Sequence, residues 1–327
     1  MIAIIGGSGF VGTRLSRRLH AAGTPFRIID KSVSAAFPNH CRLADVRDLE
    51  ALNSAVPPNT DVIINLAAEH RDDVRPRSLY LDVNVTGARN VIEVARRHAV
   101  KKLVFTSTVA CYGFAPPKTG EGGAIAPFNE YGRTKFKAEQ LYDEWQKEGA
   151  DHSLVIVRPT VIFGEQNRGN VYNLLRQIVS GRFVMVGSGE NRKSMAYVEN
   201  VAAFLEHACT LNGRHLYNYV DEPDFDMNTL VQTVKGVLGK SQRVGLRIPF
   251  GVGLLIGYGF DALAFLTGRS LVISSIRIKK FAATTSFSSR VRGAGFVAPV
   301  DLRTAIERTV THEFLATPTN EPLFFSE

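Results

Sequence analysis

The first dozen residues constrain the fold more than any other part of this sequence. After the initial methionine they read IAIIGGSGFVG, so a short apolar run leads into Gly6, Gly9 and Gly12 and then into a helical pattern. Strand, glycine turn and helix in this order are typical of a dinucleotide-binding fold. Gly6 permits the tight turn, Gly9 lets the backbone approach a pyrophosphate, and Gly12 lets the helix pack closely. A glycine-rich turn without a ligand is the alternative.

Apolar runs and helical patterns alternate through the first half of the chain. The predicted strands are residues 2–5, 26–29, 62–66, 103–106 and 154–157, and the predicted helices between them are residues 13–22, 85–98 and 131–147. Alternating strands and helices indicate βαβ units and a parallel sheet. The strands are nearly all apolar, which indicates a sheet covered on both faces. We therefore predict an α/β fold with a Rossmann-type, doubly wound parallel sheet.

The regular alternation weakens after residue 165. The patterns there predict two helices and a short strand, over residues 171–179, 227–238 and 184–186. We expect a Rossmann domain over residues 1–165 that also takes elements from about residues 195–225. The rest of residues 166–327 should form a smaller α/β lobe that binds the substrate.

Charge and cysteine content narrow the classes of protein that fit the sequence. The chain has 327 residues and a formal net charge of +8, but no block of five basic residues, so we expect no nucleic-acid partner. The diffuse charge fits a phosphate-bearing substrate, an anionic membrane surface or solubility alone. Cys41, Cys111 and Cys209 have no disulfide or metal spacing, and no signal peptide is recognised, so we expect a cytoplasmic protein without a metal.

Two acids after the glycine turn are candidates for binding the adenosine half of a dinucleotide. Asp30 closes the second predicted strand, where a carboxylate accepts hydrogen bonds from ribose hydroxyls and repels a 2′-phosphate. Lys31 argues for the phosphorylated cofactor, but Asp30 stands first and favours NAD. Asp45 either reaches the adenine amino group or caps the next helix.

A tyrosine and a lysine lie four residues apart in the sequence NEYGRTKFKAE. On a helix Tyr131 and Lys135 would be neighbours, ~5–6 Å apart at Cβ. An ammonium that close to a phenol favours the phenolate and lowers its pKa, so the pair could act as a general base. An ordinary surface pair is the alternative that the pair alone leaves open.

Six motifs occur in order along the chain: GGSGFVG, NLAAE, DVNVTGARNV, TSTVACYG, YGRTK and RPTVIFG. Together they resemble the extended short-chain dehydrogenase/reductase family, in its sugar epimerase branch. The resemblance implies that the cofactor is NAD, that Tyr131 is the catalytic base and that Lys135 binds the nicotinamide ribose. It also implies that Thr108, with Ser107 as the fallback, hydrogen-bonds the sugar oxygen. The remaining residues that it places at the cofactor are Phe10, Val11, Val46, Leu66, Ala67, Ala68, Asn84, Thr106 and Pro159.

Longer runs resemble the members of this branch that act on a lipid-linked sugar. These runs are LAAEHRDDV, RPTVIFGEQNRGNVYNLL, KSMAYVEN, YNYVDEPD and the closing FFSE. They imply an NAD-dependent C4 epimerase of N-acetylglucosamine on undecaprenyl diphosphate, in lipopolysaccharide O-antigen synthesis. The alternatives are a UDP-N-acetylglucosamine 4-epimerase, a 4-ketosugar reductase and a non-catalytic NAD sensor. A homodimer through the helices preceding Tyr131 is an analogy with the family.

Departures from the family pattern bear on the reaction and the substrate. Val109 and Ala110 stand where sugar 4,6-dehydratases carry an Asp–Glu pair, so we expect no dehydratase activity. Val161 stands where nucleotide-sugar epimerases usually carry an asparagine, which weakens a UDP-sugar substrate. The resemblance places three diphosphate contacts, with a solvated surface residue as the alternative for each, at Asn170, Lys193 and Arg277.

Residues 248–268 form a strongly apolar stretch with a single charged residue, Asp261. Its uncharged run is too short to span a bilayer, which needs about 20 apolar residues. It is either a core helix of the second lobe or a helix in the membrane interface, where it would give peripheral contact with the inner membrane surface.

Overall fold

The computed structural model describes residues 1–71, 73–267, 274–317 and 321–325. Four residues of the motifs and stretches quoted above lie outside these ranges: Asp72, Gly268, Ser326 and Glu327.

The strands and helices follow one another along the chain with short connections. The strands are β1 (Ile2–Ile5), β2 (Phe26–Asp30), β3 (Cys41–Leu43), β4 (Val62–Asn65), β5 (Lys102–Thr106), β6 (Ser153–Pro159), β7 (Val161–Phe163), β8 (Met185–Val186), β9 (Arg192–Lys193), β10 (Met195–Tyr197), β11 (Arg214–Tyr219), β12 (Phe225–Asp226) and β13 (Arg247–Ile248). The α-helices are α1 (Phe10–Ala21), α2 (Leu49–Ala55), α3 (Ser78–Leu81), α4 (Gly87–Arg97), α5 (Glu130–Gln146), α6 (Asn170–Val179), α7 (Val198–Ala208), α8 (Met227–Val237), α9 (Phe250–Thr267), α10 (Ser275–Ala282) and α11 (Leu302–Val310). Single 3-10 turns lie at Pro38–His40, Val109–Tyr112 and Val291–Ala294, and π-helical turns at Asp82–Thr86 and Thr311–Leu315.

Seven parallel strands form the central sheet, in the spatial order β11, β6, β5, β4, β1, β2, β3. Ile4 of β1 lies opposite Ile28 of β2 on one side and Ile64 of β4 on the other. The strand order reverses at β1, and in open α/β sheets ligands bind outside the carboxyl ends of the strands at such a point. The predicted fold class is therefore confirmed.

Alternate residues of β1 face two different helix layers. Ile2 and Ile4 join an apolar cluster with α1 and α7, whereas Ala3 and Ile5 join a cluster with α2, α4 and α5. Both faces of the sheet are thus covered, which explains why its strands are almost continuously apolar.

A third apolar cluster holds the second lobe together. It is built from α6, α8 and α11, which contribute Leu175, Leu230 and Ile306, with side chains from β8 and β10. Helix α7 and strand β11 fall between segments of this lobe in the sequence but pack in the central sheet and its first helix layer. Three two-stranded pairs, β7–β10, β9–β12 and β8–β13, complete the fold.

Helix α9 lies within the apolar stretch and is not a core helix, so that alternative is wrong. Of the eighteen residues of α9, only Gly253 and Gly257 are buried. Within the described residues it is also the one helix that is long and apolar enough to cross a membrane, judged by length and composition.

Candidate active site

The glycine turn after β1 requires close backbone approach at two of its glycines. Gly6 has φ +77°, and a Cβ there would lie 2.6 Å from the backbone nitrogen of Ala67. A Cβ on Gly12 would lie 2.5 Å from Cα of Gly7. A Cβ on Gly9 would meet only ordinary van der Waals contact, so its surroundings leave room beside the start of α1. This cradle, open at Gly9, fits a pyrophosphate.

Asp30 ties the glycine turn to the end of β2. One oxygen of its carboxylate accepts from the backbone N–H of Ser8 at 3.0 Å, and the other accepts from that of Ser32 at 3.0 Å. An ionised carboxylate has about four lone-pair positions, so two remain for ribose hydroxyls. The ribose contact of Asp30 stays a prediction.

Asp45 is not a helix N-cap. The cap of α2 is Asp48, whose carboxylate accepts from the backbone N–H of Ala51 at 3.0 Å. Asp45 instead accepts two hydrogen bonds from the Arg47 guanidinium, which holds the pKa of the carboxyl below its usual value. Val46 beside it is buried. The adenine contact of Asp45 stays a prediction.

Asn84 fixes the segment after β4 rather than presenting its amide to a cofactor. It accepts from the backbone N–H of Glu69 at 2.9 Å, and its side-chain amide donates to the carbonyl of Glu69 and to the hydroxyl of Thr134, each at 3.0 Å. These bonds use its oxygen and both amide hydrogens. The residue therefore joins α5 to the segment that contains Leu66, Ala67 and Ala68.

The start of α5 brings Tyr131 to Thr108. Asn129 caps the helix by accepting from the backbone N–H of Gly132 at 2.9 Å. A Cβ on Gly132 would lie 2.6 Å from the carbonyl oxygen of Ala110, so a glycine is needed for α5 to begin directly against the turn that follows Thr108. Burial raises the pKa of the Tyr131 phenol, and the nearby Thr108 hydroxyl lowers it in part. The structure thus brings together two of the three predicted catalytic residues.

The third, Lys135, lies beneath them in the protein interior. Its side chain is 1% exposed, and Nζ lies 4.2 Å from the centroid of the Phe105 ring. Burial lowers the pKa of Lys135 to about 7 and raises the pKa of Tyr131 to about 12. In each case burial is the largest cause, because it disfavours the charged form. The expectation that Lys135, together with a positively charged nicotinamide, lowers the pKa of Tyr131 stays a prediction.

A buried polar network underlies the catalytic helix, and the sequence did not predict it. The Arg158 guanidinium donates to both carboxylate oxygens of Glu139 and to the hydroxyl of Tyr112. Ser107 also donates to Glu139. Because that bond occupies its hydroxyl, Ser107 is a poor fallback for Thr108, and we assign it to the network. The charged Arg158 inside the otherwise apolar run LVIVRP was the available signal.

The carboxyl ends of β5 and β6 supply the remaining predicted cofactor residues. Pro159 is buried there, and the hydroxyl of Thr106 is buried without a hydrogen-bond partner in the protein. An unpaired buried hydroxyl costs about 1–3 kcal/mol, so a partner from a bound group would be favoured. With the cradle at Gly9 and the free positions on Asp30, this hydroxyl shows that the site fits NAD.

His70 is a further residue that the sequence did not single out. Its ring centroid lies 6.5 Å from that of Tyr131. Its position directly after the NLAAE motif could have indicated it.

The three residues predicted to contact a diphosphate differ in their surroundings. The Lys193 ammonium donates to the carbonyls of Lys280 and Ala283 at 2.8 and 2.6 Å and to the Thr285 hydroxyl at 3.3 Å. These bonds use its three hydrogens, so its predicted phosphate contact is replaced by a tie to the end of α10. Burial lowers the pKa of Lys193 to about 8. The other two are exposed, at the start of α6 and on α10: Asn170 and Arg277.

A cavity of about 600 Å³ lies away from this chemistry. It is lined by charged groups of both signs, among them Arg14, Glu199 and Arg308, and includes none of the catalytic residues. The arrangement of Tyr131, Thr108 and the glycine turn therefore locates the candidate site, and the cavity volume does not.

Comparisons with known proteins agree with this geometry. Residues 2–219 match the NAD dependent epimerase/dehydratase family. An N-acetyl-α-D-glucosaminyl-diphospho-ditrans,octacis-undecaprenol 4-epimerase of Escherichia coli O157:H7 is 46% identical over 332 residues, which cover 100% of this chain and 99% of that protein. A UDP-glucose 4-epimerase of Vibrio cholerae is 30% identical over 61% of this chain and 63% of its own length.

Solved structures share the fold at low identity. The UDP-N-acetylglucosamine 4-epimerase of Bacillus cereus superimposes with a TM-score of 0.73 at 16% identity, over 94% of this chain and 97% of its own. A Thermus thermophilus UDP-glucose 4-epimerase, solved with NAD, gives 0.71 at 20% identity, over 97% and 99%. The predicted resemblance and the predicted cofactor are confirmed: the chain belongs to the NAD dependent epimerase/dehydratase family.

Proposed function

We propose that the protein is an NAD-dependent C4 epimerase that interconverts N-acetylglucosamine and N-acetylgalactosamine on undecaprenyl diphosphate. The observation that carries the proposal is the full-length similarity to the E. coli relative of that name, in a chain that brings Tyr131 and Thr108 together above Lys135. The substrate would be held in the membrane by its lipid. We therefore propose that the protein is cytoplasmic and associates peripherally with the cytoplasmic face of the membrane.

In this proposal Tyr131 takes the proton of the C4 hydroxyl while Thr108 hydrogen-bonds the same oxygen. When bound, NAD accepts a hydride from C4 and later returns it. Burial disfavours the phenolate of Tyr131, whose pKa is about 12, so positive charge must be close when the base acts. Lys135, with a pKa near 7, gains and loses a proton in the working range and supplies such a charge from within the protein.

The second half of the reaction returns the proton from Tyr131 to the same oxygen. Between the two steps the 4-keto sugar turns over, so that its other face receives the hydride. The chain's contribution is to hold the sugar oxygen at Tyr131 and Thr108 in both orientations.

The turn after Thr108 argues against dehydration. Val109 and Ala110 carry no group that transfers a proton, and the nearby carboxylate of Glu139 is paired with Arg158. We therefore propose that no 4-keto-6-deoxy sugar is released. Its appearance among the products would contradict this.

A UDP-N-acetylglucosamine 4-epimerase is the second candidate. The observation in its favour is the 30% identity to the Vibrio cholerae UDP-glucose 4-epimerase over 61% of this chain. The side chain of Val161 at the start of β7 is exposed and offers no amide to a nucleotide sugar, which favours the lipid-linked substrate.

The test offers purified protein the two substrates in parallel, UDP-N-acetylglucosamine and undecaprenyl-diphosphate-N-acetylglucosamine in detergent. Products are hydrolysed, and glucosamine is separated from galactosamine. We expect galactosamine from the lipid-linked sugar, without net consumption of NADH, and none with Tyr131→Phe. Conversion of the UDP-sugar alone would establish the second candidate, and stoichiometric NADH consumption would establish a 4-ketosugar reductase. No conversion, with NAD bound, would support a sensor.

Two parts of the proposal concern the wider setting. A homodimer through the helices preceding Tyr131 is tested by light scattering, where a monomeric mass at working concentration would refute it. A role in lipopolysaccharide O-antigen synthesis is tested by deleting the gene and analysing the O-antigen for galactosamine.

A further inference from the structure

The two buried residues of helix α9 are both glycines, Gly253 and Gly257. A Cβ on Gly253 would lie 2.8 Å from Cγ1 of Val186, and one on Gly257 would lie 2.8 Å from Cα of Ser275. These two glycines, one turn apart, form the face that packs on the second lobe and on α10. The close approach needs glycine, although glycine in a helix costs about 1 kcal/mol relative to alanine.

The large apolar side chains of the same helix point outward. Leu255, Phe265 and Leu266 are 72%, 87% and 80% exposed. A core helix shows the opposite arrangement, because burying a side chain of this kind stabilises by about 1.5–3 kcal/mol. Over its 18 residues the helix is ~27 Å long, so the exposed surface is extended. Contiguous apolar surface of this kind marks an interaction site.

A basic helix lies beside this apolar surface. Helix α10 returns along α9, since the carboxylate of Asp261 accepts from the backbone N–H of Ser275 at 3.2 Å, and Lys279 donates to the hydroxyl of Tyr258 at 3.1 Å. The sequence of α10, SIRIKKFA, carries three basic residues and no acid. An apolar face bordered by positive charge fits the interface of an anionic bilayer.

The apolar and basic surface continues to the catalytic helix. Nζ of Lys280 on α10 lies 5.3 Å from the centroid of the Phe128 ring. Phe128 stacks on Phe114 with 4.7 Å between ring centroids, and both rings are exposed. Phe128 stands three residues before Tyr131. A surface that receives α9 would therefore lie at the edge of the site.

We propose that α9 and α10 form a docking hairpin that lies in the headgroup region of an anionic membrane, with the outward face of α9 inserted. This inference rests on the proposed function and names the surface on which the enzyme meets its lipid-linked substrate. The hairpin lies in the interface and does not span the bilayer, because α9 keeps its glycine face on the second lobe and α10 brings Lys279 and Lys280 back along it. Phe114 and Phe128 then face the layer in which the substrate's diphosphate lies.

The test is co-sedimentation of the full-length protein with vesicles of phosphatidylcholine alone or with added phosphatidylglycerol. We expect strong binding to the anionic vesicles and weaker binding to the neutral ones. Leu255→Glu with Phe265→Glu should weaken binding by at least about tenfold. The matched control is Leu43→Glu with Val297→Glu, which places the same charges on exposed apolar residues away from the hairpin and should bind like the wild type.

A second pair of variants tests the charge. Lys279→Glu with Lys280→Glu should weaken binding to anionic vesicles by about fivefold or more for each lost charge and leave binding to neutral vesicles nearly unchanged. Its control is Lys137→Glu with Lys147→Glu, two exposed lysines on α5 and at its C-cap.

Detergent assays separate this inference from the proposed function. Leu255→Glu with Phe265→Glu should epimerise the lipid-linked sugar in detergent at the wild-type rate, and loss of that rate would overturn a pure docking role. Vesicle binding by a wild type without epimerase activity would support docking and refute the proposed function. If the wild-type protein binds neither the anionic nor the neutral vesicles, the docking proposal is overturned. If the variant then also has a lower mass by light scattering, the face meets a second copy instead.

Discussion

Helices α5 and α9 are nearly equal in length, at 17 and 18 residues, but they break the usual burial pattern in opposite ways. Helix α5 buries the charged Lys135 and Glu139, whereas α9 exposes the apolar Leu255 and Phe265. Glu139 is paired with Arg158, and we assign Lys135 to catalysis, so each buried charge has a partner or a task. The side chains of Leu255 and Phe265, by contrast, are mostly exposed to solvent. Such local departures from pattern are expected at functional sites.

The largest expected effect comes from removing the base at the start of α5. Tyr131→Phe should lower kcat for epimerisation by about 10³-fold, because general-base catalysis contributes roughly 10²–10⁴-fold. The ring is retained, so NAD binding and the unfolding midpoint should match the wild type. A variant that retains a tenth of the wild-type rate would show that another group takes the proton.

The buried pair beneath the site should have the largest effect on stability. Arg158→Met leaves the Glu139 carboxylate buried without its partner and should lower the free energy of unfolding by about 3–5 kcal/mol. The matched control is Arg96→Met, which breaks the exposed pair with Glu148 and should cost no more than about 1 kcal/mol. Urea unfolding measures both, and equal losses would mean that burial of the Glu139 pair carries no special cost.

The regular part of the fold could be predicted because it depends on local patterns. The five predicted strands are the five inner strands of the sheet, whose residues are nearly all apolar: β1, β2, β4, β5 and β6. The two missed strands, Cys41–Leu43 and Arg214–Tyr219, are the edges of the sheet. Edge strands pair on one side only and are partly exposed, so their sequences mix polar and apolar residues. Periodicity alone cannot find them.

The site divides in the same way. Tyr131 and Lys135 could be predicted as neighbours because residues four apart in the sequence lie side by side on an α-helix. The bond of Arg158 to Glu139 and the ties of Lys193 to Lys280 and Ala283 join residues far apart in the sequence. No spacing rule reaches such pairs. The sequence therefore predicted that Lys193 binds a phosphate, whereas in the structure its ammonium donates to carbonyl groups at the end of α10.

The buried ammonium of α5 should make stability depend on pH in a definite direction. In the folded protein the pKa of Lys135 is about 7, whereas an unfolded lysine titrates near 10.4. Between these values the unfolded state binds more protons, so stability rises with pH by up to about 1.4 kcal/mol per pH unit from this group. Lys135→Met should remove that contribution. Chemical denaturation measures the free energy of unfolding of both proteins from pH 7.5 to 9.5. If the two free energies changed with pH in parallel, the low pKa of Lys135 would be contradicted.

The smallest effect on stability is expected from substitutions on the outward face of α9. A small effect there would distinguish α9 from α5, whose buried charged residues we expect to affect stability strongly. Leu255→Ser and Phe265→Ser remove side chains that contact mainly solvent, so each should change the free energy of unfolding by no more than about 0.5 kcal/mol. Leu230→Ala, a buried control in the second lobe, should cost about 2–5 kcal/mol. If the serine variants were as costly as the control, α9 would be part of a folded core or of a stable contact between copies in solution. If the serine variants unfold with the same free energy as the wild type, these side chains do not stabilise the folded chain. Binding to a surface outside the protein would then explain why large apolar side chains occupy these exposed positions.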